Sequence, residues 1–326
     1  MTDRRKYAIN TTFAGFGGPL STGVWAAIGL LCGTLPAAAT PLLQSNVASF
    51  TVLGASTVTN VPTSTINGDV GVWSSGGANA ITGFQSAPGV AVSDPQVTNG
   101  LVHAGTVAGT PNAMQAQAEL TTARNNLASL GPGTVLALAD LVGLTLAPGV
   151  YTVHAGSTNL SGALTLDGMG NANAAWVFQL DSTLITSPNS LVNLINTGSG
   201  AGVFWNVLSS ATIGTNTAFL GNVLALASIT MNTGATDLCG RVLADTGAVT
   251  LDQNNLSRTC TGNLAGSDGL GGGLDVITTA LGTTEVHFLP FAPINGGGAV
   301  PEPTTLSLVG LAIAGLGYAR RRVRKV

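Results

Sequence analysis

The feature that most limits what this chain can fold into is a strand-like unit that returns between residues 203 and 254. Three copies are Ala211-Thr-Ile-Gly-Thr-Asn216, Ala227-Ser-Ile-Thr-Met-Asn232 and Gly247-Ala-Val-Thr-Leu-Asp252, at spacings of 16 and 20 residues. In each copy apolar residues alternate with small polar ones. Repeats with strand periodicity are typical of a β-solenoid, in which each coil buries its inner face against its neighbours.

The period of two also gives each side chain in these units a direction. Ile229 and Met231 point inward in the second copy, and Val249 and Leu251 point inward in the third. The outward positions of stacked coils then form a ladder of Thr, Ser, Ala, Gly and Asn.

Composition agrees with a solenoid and argues against a nucleic-acid partner. Only 8% of the 326 residues are charged, and 45 Gly residues supply tight corners; an average soluble domain has about 25% charged residues. Between residues 40 and 300, three Arg residues stand against twelve acidic residues, a net charge of −9. Because a basic patch is absent, we expect no nucleic-acid binding.

The N-terminus has the pattern of a secretory signal peptide. Arg4-Arg-Lys6 precedes an apolar run from about Val24 to Leu35, and Ala37-Ala-Ala39 offers a small-residue cleavage site. The sequence therefore predicts a signal peptide over residues 1–39. A core helix with a basic cap is the alternative.

The cysteine count agrees with secretion. The three cysteines are Cys32, Cys239 and Cys260, and cleavage after Ala39 leaves the last two as a pair. Outside the cytoplasm such a pair is expected to oxidise to a disulfide. Two unpaired buried thiols are the alternative.

The C-terminus contains a Pro-Glu-Pro box, a short apolar run over residues 304–319 and a basic tail. The box is Val300, Pro301, Glu302 and Pro303. The tail is Arg320, Arg321, Arg322, Arg324 and Lys325.

This order of box, apolar run and basic tail resembles the PEP-CTERM sorting signal of Gram-negative bacteria, whose tail is processed by an exosortase-type membrane enzyme. The resemblance implies a secreted or cell-surface protein that the apolar helix anchors transiently in the inner membrane. A plain tail anchor is the alternative, although the run is shorter than the roughly 20 residues that span a bilayer.

One amphipathic helix is expected among the strands. Apolar residues, mostly Ala, step by three and four from Ala113 to Leu130. Thr110 is the expected cap, Pro111 fits the first turn, and Gly131 ends the helix. Such a small-residue stripe predicts a helix that lies close against a flat sheet.

Several segments carry a family resemblance. They are 56–72 (Ser56-Thr-Val-Thr-Asn through Thr65-Ile-Asn-Gly-Asp-Val-Gly-Val72), Ile81-Thr-Gly-Phe84, Pro148-Gly-Val-Tyr151, Trp176-Val-Phe-Gln179, Val203-Phe-Trp205 and 247–252. Together they resemble the ice-binding-like family, the secreted β-solenoid antifreeze and ice-adhesion domains of microbes. The likeness covers about residues 46–261. It implies an all-β-dominated, irregular right-handed β-helix of triangular section with one long α-helix alongside, and N-terminal strands that stack out of sequential order.

Four segments are therefore predicted. They are a signal peptide (1–39), an ice-binding-like β-solenoid (40–261), a Gly-rich linker (262–299) and a sorting signal with a short transmembrane helix (300–326).

The function implied by the resemblance is adsorption to ice through a flat β-face. Thr suits such a face because its methyl group leaves water weakly held while its hydroxyl anchors it. The candidate ladder is Thr165, Thr212, Ser228, Thr230, Asn232 and Thr250. Asp167 and Asp252 at its edges depart from an ideal face, and Thr also simply suits an exposed strand. Thr233-Gly-Ala-Thr236 is similar to a motif of family ice faces.

Catalysis and metal binding find little support in the sequence. A polysaccharide lyase needs a base and cations around an anionic intermediate. Residues 40–300 contain no Lys and three scattered Arg, and His103, His154 and His287 have no partner nearby in sequence. The segment 270–275 approaches a calcium β-roll repeat but lacks its first Gly and occurs once, which favours a flexible linker. We therefore predict no enzyme, no cofactor and no metal.

A cell-surface or exopolysaccharide matrix protein is the alternative function. It would share the fold without ice activity, so the fold alone does not separate the two.

Overall fold

The computed structural model describes residues 39–73, 80–279 and 282–294. This region is a β-solenoid of parallel strands with one long helix alongside, which confirms the predicted fold class. The strands are numbered here in chain order.

The first strands are β1 (Ala39–Pro41), β2 (Phe50–Gly54), β3 (Val58–Val61), β4 (Thr65–Asn67), β5 (Asp69–Val72), β6 (Ile81–Thr82), β7 (Ala91–Val92), β8 (Val97–Thr98), β9 (Val102–Ala104), β10 (Thr134–Val135), β11 (Thr145–Leu146), β12 (Gly149–Val153) and β13 (Ser157–Leu160). They are followed by β14 (Ala163–Asn171), β15 (Ala175–Leu180), β16 (Thr183–Thr186), β17 (Leu191–Thr197), β18 (Gly202–Val207), β19 (Ala211–Ile213), β20 (Ala218–Ala225), β21 (Ile229–Met231), β22 (Thr236–Ala244), β23 (Val249–Asp252), β24 (Asn255–Ser257), β25 (Leu274–Thr278) and β26 (Thr284–Phe288). The helices are α1 (Ser45–Ser49), α2 (Ala113–Ser129) and a 3-10 turn at Gly262–Leu264.

The coils form three faces, and each is defined here by the order of its strands. The covered face runs β10-β12-β15-β18-β20-β22-β2-β5-β9-β7. The threonine face is a separate sheet with the order β13-β16-β19-β21-β23-β3-β6. The mixed face runs β11-β14-β17-β20-β22-β24-β4-β8, because β20 and β22 turn a corner and contribute to two faces. Gly221 makes the turn in β20 at a φ of +104°, where a Cβ would come within 2.7 Å of the Val203 side chain.

The N-terminal coil is inserted out of sequence order, as the resemblance implies. Strands β2, β3 and β4 stack on β22, β23 and β24, the last coil before the C-terminal segment. The registers pair Val52 with Val242 and Val58 with Val249. Residues about 190 positions apart are therefore neighbours in one sheet.

Inward side chains stack from coil to coil. Tyr151, Phe178, Trp205 and Phe219 form an aromatic column with centroid separations of 5.9, 4.0 and 5.1 Å. The Trp205 indole N–H donates to the Leu220 carbonyl at 3.0 Å, so its polar group is satisfied inside the core.

Helix α2 lies on the covered face. Its stripe is fully buried against outward side chains of that face. The stripe is Ala113, Ala116, Leu120, Ala123 and Leu127, and it faces Val177, Phe204, Leu224 and Leu243. Asn112, rather than Thr110, is the N-cap, since its Oδ1 accepts from the Gln115 N–H at 2.7 Å. The alanines allow the close approach that the sequence predicts.

Polar contacts fix the helix on the solenoid. Arg124 Nη1 donates to Asp245 Oδ2 at 2.7 Å, and both side chains are buried. The Thr121 hydroxyl donates to the same carboxylate at 2.6 Å. Glu119 accepts the Val47 N–H at 2.9 Å, which ties α1 to α2.

The segment expected to be a linker is partly folded. Strands β25 and β26 form a hairpin that pairs with β1, and Leu274 and Val276 are buried. Before the hairpin, the Leu270 carbonyl accepts from Val203 N at 3.0 Å. The Gly-rich stretch 262–273 thus belongs to the folded body, and Cys239 and Cys260 form a disulfide just before it.

No described helix is long and apolar enough to cross a membrane. Of the predicted signal peptide only Ala39 is described, and the predicted apolar run 304–319 lies outside the described residues.

Candidate functional site

Five threonines form one outward column on the threonine face. They come from neighbouring strands and are direct sheet partners in the order Thr212, Thr230, Thr250, Thr59 and Thr82. Thr59 and Thr82 are exposed, and the other three are half-buried. Adjacent strands place successive members about 4.8 Å apart. The column continues below Thr212 with Ile185 and Asn159.

A second column of small residues runs beside the first, two residues earlier in each strand. Its members are Ser157, Thr183, Ser210, Ser228, Ala248, Thr57 and Ala80. Backbone bonds at 2.8–3.0 Å hold the register, for example from Ile229 N to the Ala248 carbonyl and from Val249 N to the Thr57 carbonyl. Neither column contains a charged side chain, so this part of the face is weakly polar.

The third outward column is less regular. Gly214, Asn232, Asp252 and Val61 occupy it next to the corner with the mixed face. Asp252 is the one charged residue in the seven strands of the threonine face. Its carboxylate accepts a hydrogen bond from the Thr233 hydroxyl.

The structure separates the six residues of the predicted ladder. Thr212, Thr230 and Thr250 are three consecutive members of the column, while Ser228 and Asn232 flank Thr230 in the two neighbouring columns. Thr165 lies elsewhere, on β14 in the mixed face, where it pairs with Thr145 and Asn193. A period of two distinguishes inside from outside but not one outward face from another, so it could not assign Thr165 to a face.

Thr59 and Thr82 are absent from the predicted ladder, yet they extend it. Each column member except Thr212 follows an aliphatic β-branched residue that is itself preceded by a small one. The tripeptides are Ser228-Ile-Thr230, Ala248-Val-Thr250, Thr57-Val-Thr59 and Ala80-Ile-Thr82, with Ser210-Ala-Thr212 as the variant. This shared tripeptide is the signal that could have found them.

The mixed face has no comparable order. Its outward column across six strands is Ala163, Leu191, Ala218, Thr236, Asn255 and Thr65. Leu191, Ile195 and Leu238 project from this face and are exposed, and Asp167 adds a charge. The Thr233–Thr236 motif straddles the corner, because Thr233 bonds to Asp252 whereas Thr236 begins β22 on the mixed face.

The histidines do not gather into a site. His103 Nε2 lies 3.0 Å from Asp69 Oδ1 in a buried pair, while His154 and His287 each face one exposed carboxylate elsewhere. Within the described ranges, no group of three or more His, Cys, Asp or Glu side chains could hold a metal ion.

A cleft of about 680 Å³ lies between the N-terminal segment and the Gly-rich stretch near residues 268–272. Arg241 borders it, but its guanidinium is buried and already donates to the carbonyls of Ala48 and Asp268 and to Asn222 Oδ1. Burial lowers the pKa of this guanidinium, and the charge of Asp268 opposes that shift. These contacts assign Arg241 to the packing of the C-terminal segment.

Comparison with known proteins gives two family matches. The model described as Ice-binding-like matches residues 52–257, and the model described as PEP-CTERM protein-sorting motif matches residues 299–324. Both agree with the resemblances found in the sequence.

Relatives and solved structures agree with the first match. An ice-binding protein of Nostoc sp. (strain HG1) is 45% identical over 223 residues, which is 68% of this chain and 76% of that protein. The crystal structure of an ice-binding protein from the Antarctic ascomycete Antarctomyces psychrotrophicus has a TM-score of 0.56 and 37% identity, over 67% of this chain and 98% of that one. An ice-binding protein from an Arctic yeast, solved to explain its antifreeze activity, has a TM-score of 0.60 and 31% identity over 68% and 97% of the two chains.

Proposed function

The chain belongs to the ice-binding-like family, and we propose that it adsorbs to ice through the threonine face. The observation that carries this proposal is the unbroken column of five threonines in register on five neighbouring strands.

The chemistry of the column suits a water lattice. Each threonine offers a hydroxyl that can bond to lattice water and a methyl group that binds water weakly. Strand stacking repeats this pair at about 4.8 Å along the column, and the second column lies about 6.7 Å away along the strands. Because the backbone is already ordered by the sheet, these side chains lose little further freedom on contact.

The other two faces are less suited to a flat partner. The covered face is occupied by α2 and by the hairpin. The mixed face presents the exposed aliphatic side chains of Leu191, Ile195 and Leu238 together with the charge of Asp167. Such side chains interrupt a flat surface and, in the case of Asp167, hold water strongly.

The test compares two double variants of the chain from Thr40 to Ile294. Thr230→Tyr with Thr250→Tyr obstructs the threonine face, and Thr236→Tyr with Thr65→Tyr makes the same change on the mixed face. Thermal hysteresis and inhibition of ice recrystallisation are measured for both and for the parent. We expect the first variant to lose activity and the second to keep it, with circular dichroism unchanged in each.

Other outcomes decide between the alternatives. Loss only in the mixed-face variant would move the site to that face. A folded parent without activity would contradict ice binding and favour the second candidate, a cell-surface protein that binds exopolysaccharide in a matrix. The observation behind this second candidate is the interruption of the outward columns by Ile185 and Asp252. We propose no catalytic role in either case, which agrees with relatives that are named ice-binding proteins.

We also propose that the chain is secreted to the surface of a Gram-negative cell, with transient anchoring in the inner membrane and processing by an exosortase-type enzyme. The support is the sorting-motif match at residues 299–324. Replacement of Pro301, Glu302 and Pro303 by Ala should leave the chain in the inner-membrane fraction. Normal export of that variant would contradict the proposal.

A further inference from the structure

The C-terminal segment leaves the solenoid at one fixed place. Residues 290–294 run along the turn between β14 and β15. Ala172 N donates to the Ala292 carbonyl at 2.6 Å, and Ile294 N donates to the Gly170 carbonyl at 3.1 Å. Asn173 Nδ2 donates to the Pro290 carbonyl at 3.0 Å. Bonds on both sides of the turn therefore fix the direction in which the chain departs.

This exit lies at the corner opposite the threonine face. Strand β14 belongs to the mixed face and β15 to the covered face, so the turn between them is the corner where those two faces meet. In a three-sided coil the corner between two faces is opposite the third. The described residues 289–294 make no backbone hydrogen bond to a strand of the threonine face.

The distance from the exit to the sorting motif is short. Five residues, 295–299, separate Ile294 from Val300. Even a fully extended chain spans only about 20 Å over this distance. The ten stacked strands of the covered face extend about 43 Å, so the connection is shorter than half the length of the body it holds.

We propose that, while the chain is held at the cell surface through its C-terminal segment, the threonine face points away from that surface. The exit at the opposite corner and the short connection together keep the mixed and covered faces toward the cell. In this orientation the threonine face is exposed to the medium around the cell. This inference rests on the proposed function for what the face meets, but the orientation itself can be measured without ice.

The experiment uses the full chain in Gram-negative cells that carry an exosortase. Ser210→Cys places one thiol on the threonine face, and Ala218→Cys places one on the mixed face of the same coil. Both changes are small, and the parent chain, whose Cys239 and Cys260 are joined, gives the background. Intact cells are treated with an impermeant small maleimide and, separately, with a maleimide that carries a long polyethylene glycol chain. The purified chain ending at Ile294, with the same substitutions, is the unattached control.

We expect the small maleimide to label both variants on cells, and the large one to label Ser210→Cys severalfold more than Ala218→Cys. The unattached control should show no preference for Ser210→Cys, because Ser210 is half-buried and Ala218 is exposed. A long Gly-Ser insertion after Ile294 should reduce the difference on cells, because a flexible segment lets the body rotate.

Equal labelling of the two variants on cells, or preferential labelling of Ala218→Cys, would overturn the proposal. A difference that persists with the long insertion, or complete release of the chain into the medium, would also overturn it. Ice activity is measured separately on the purified chain. A labelling difference with an inactive purified chain would contradict the proposed function alone.

Discussion

The threonine face and the mixed face are made by the same coils, and their inward residues obey the same rule. On both faces every second side chain points inward, and most of these side chains are apolar and buried; Asn60, Thr158 and Thr186 on one face and Asp237 on the other are the polar exceptions. Their outward residues differ: one face repeats Thr on five neighbouring strands, and the other alternates Ala, Leu, Thr and Asn. Stacking of coils therefore explains the inward pattern but not the outward one. The repeated outward Thr of the threonine face therefore needs an explanation other than the stacking of coils.

The covered face shows that outward residues follow what a face contacts. Its outward positions include Phe204 and Leu224, which are fully buried beneath α2. Outward residues that contact the apolar helix are themselves apolar. By the same argument, a repeated Thr fits a face that contacts a flat, ordered water surface, and a face without a regular partner has no repeated outward residue.

The largest effect on stability is expected where the covered face holds its helix. Asp245→Ala removes both the partner of the buried Arg124 guanidinium and the acceptor of Thr121. An uncompensated buried charge typically costs about 3–5 kcal/mol, so the free energy of unfolding in urea should fall by that amount. Asp167→Ala, the control on the open mixed face, should lower the urea midpoint far less, because this exposed carboxylate loses only the hydrogen bonds from the Met169 N–H and Asn196 Nδ2. Equal effects of the two would show that the helix is not a fixed partner of the covered face.

A pH-dependent effect, smaller for each pH unit than the loss expected at Asp245, is expected beneath the mixed face. Burial raises the pKa of the Asp237 carboxyl from 3.8 to about 8, although hydrogen bonds from Cys239 and Gly221 and the charge of Arg241 oppose the shift. The folded protein then holds a proton that the unfolded chain releases above about pH 4. This contribution to stability is present at low pH and is lost as the pH rises from about 4 through about 8, by at most about 1.4 kcal/mol per unit.

Asp237→Asn should flatten that decline, because the amide does not titrate. The measurement is the urea unfolding free energy of the parent and the variant between about pH 5 and pH 8. Asp167→Asn serves as the control and should keep the parent's slope, because hydrogen bonds from Met169 and Asn196 lower the pKa of this exposed carboxyl and it stays ionised throughout the range. A parent whose stability rises over this range, with an Asp237→Asn variant of the same slope, would contradict a protonated Asp237.

The smallest effect is expected at the edge of the threonine face. Asp252→Asn removes the one charge from its seven strands and keeps an acceptor for the Thr233 hydroxyl. A neutral side chain holds water less strongly, so thermal hysteresis should rise modestly, by less than the loss that any Tyr substitution on this face causes. A decrease would mean that the carboxylate itself contributes to the contact.

Much of this fold follows from local pattern. Alternation in the strands around Thr212, Thr230 and Thr250 gives the correct inward and outward assignments because it depends only on the geometry of one strand. The Ala-rich stripe of α2 likewise predicts the close packing of the helix.

The features that the sequence does not predict depend on which distant strands stack on each other. Thr59 joins the column because its coil is inserted beside β23, and no local signal states which distant strand is its neighbour. Thr165 is misplaced because corner positions, rather than alternation, decide the face. The sequence predicts a linker at the Gly-rich stretch 262–273, because a high Gly content allows many backbone conformations. In the structure those glycines allow close approach, as at Gly272, where a Cβ would lie 2.3 Å from the Gly200 carbonyl oxygen.

The most direct test of the account is thermal hysteresis of Thr59→Tyr against Thr65→Tyr. The two exposed threonines lie in the same N-terminal coil, one on the threonine face and one on the mixed face. Thr59 belongs to the ice-contacting surface only if the N-terminal coil stacks on β23 and that face is the one that meets ice. The account predicts that Thr59→Tyr loses most of the activity and that Thr65→Tyr keeps it. Full activity in a folded Thr59→Tyr variant would contradict the account.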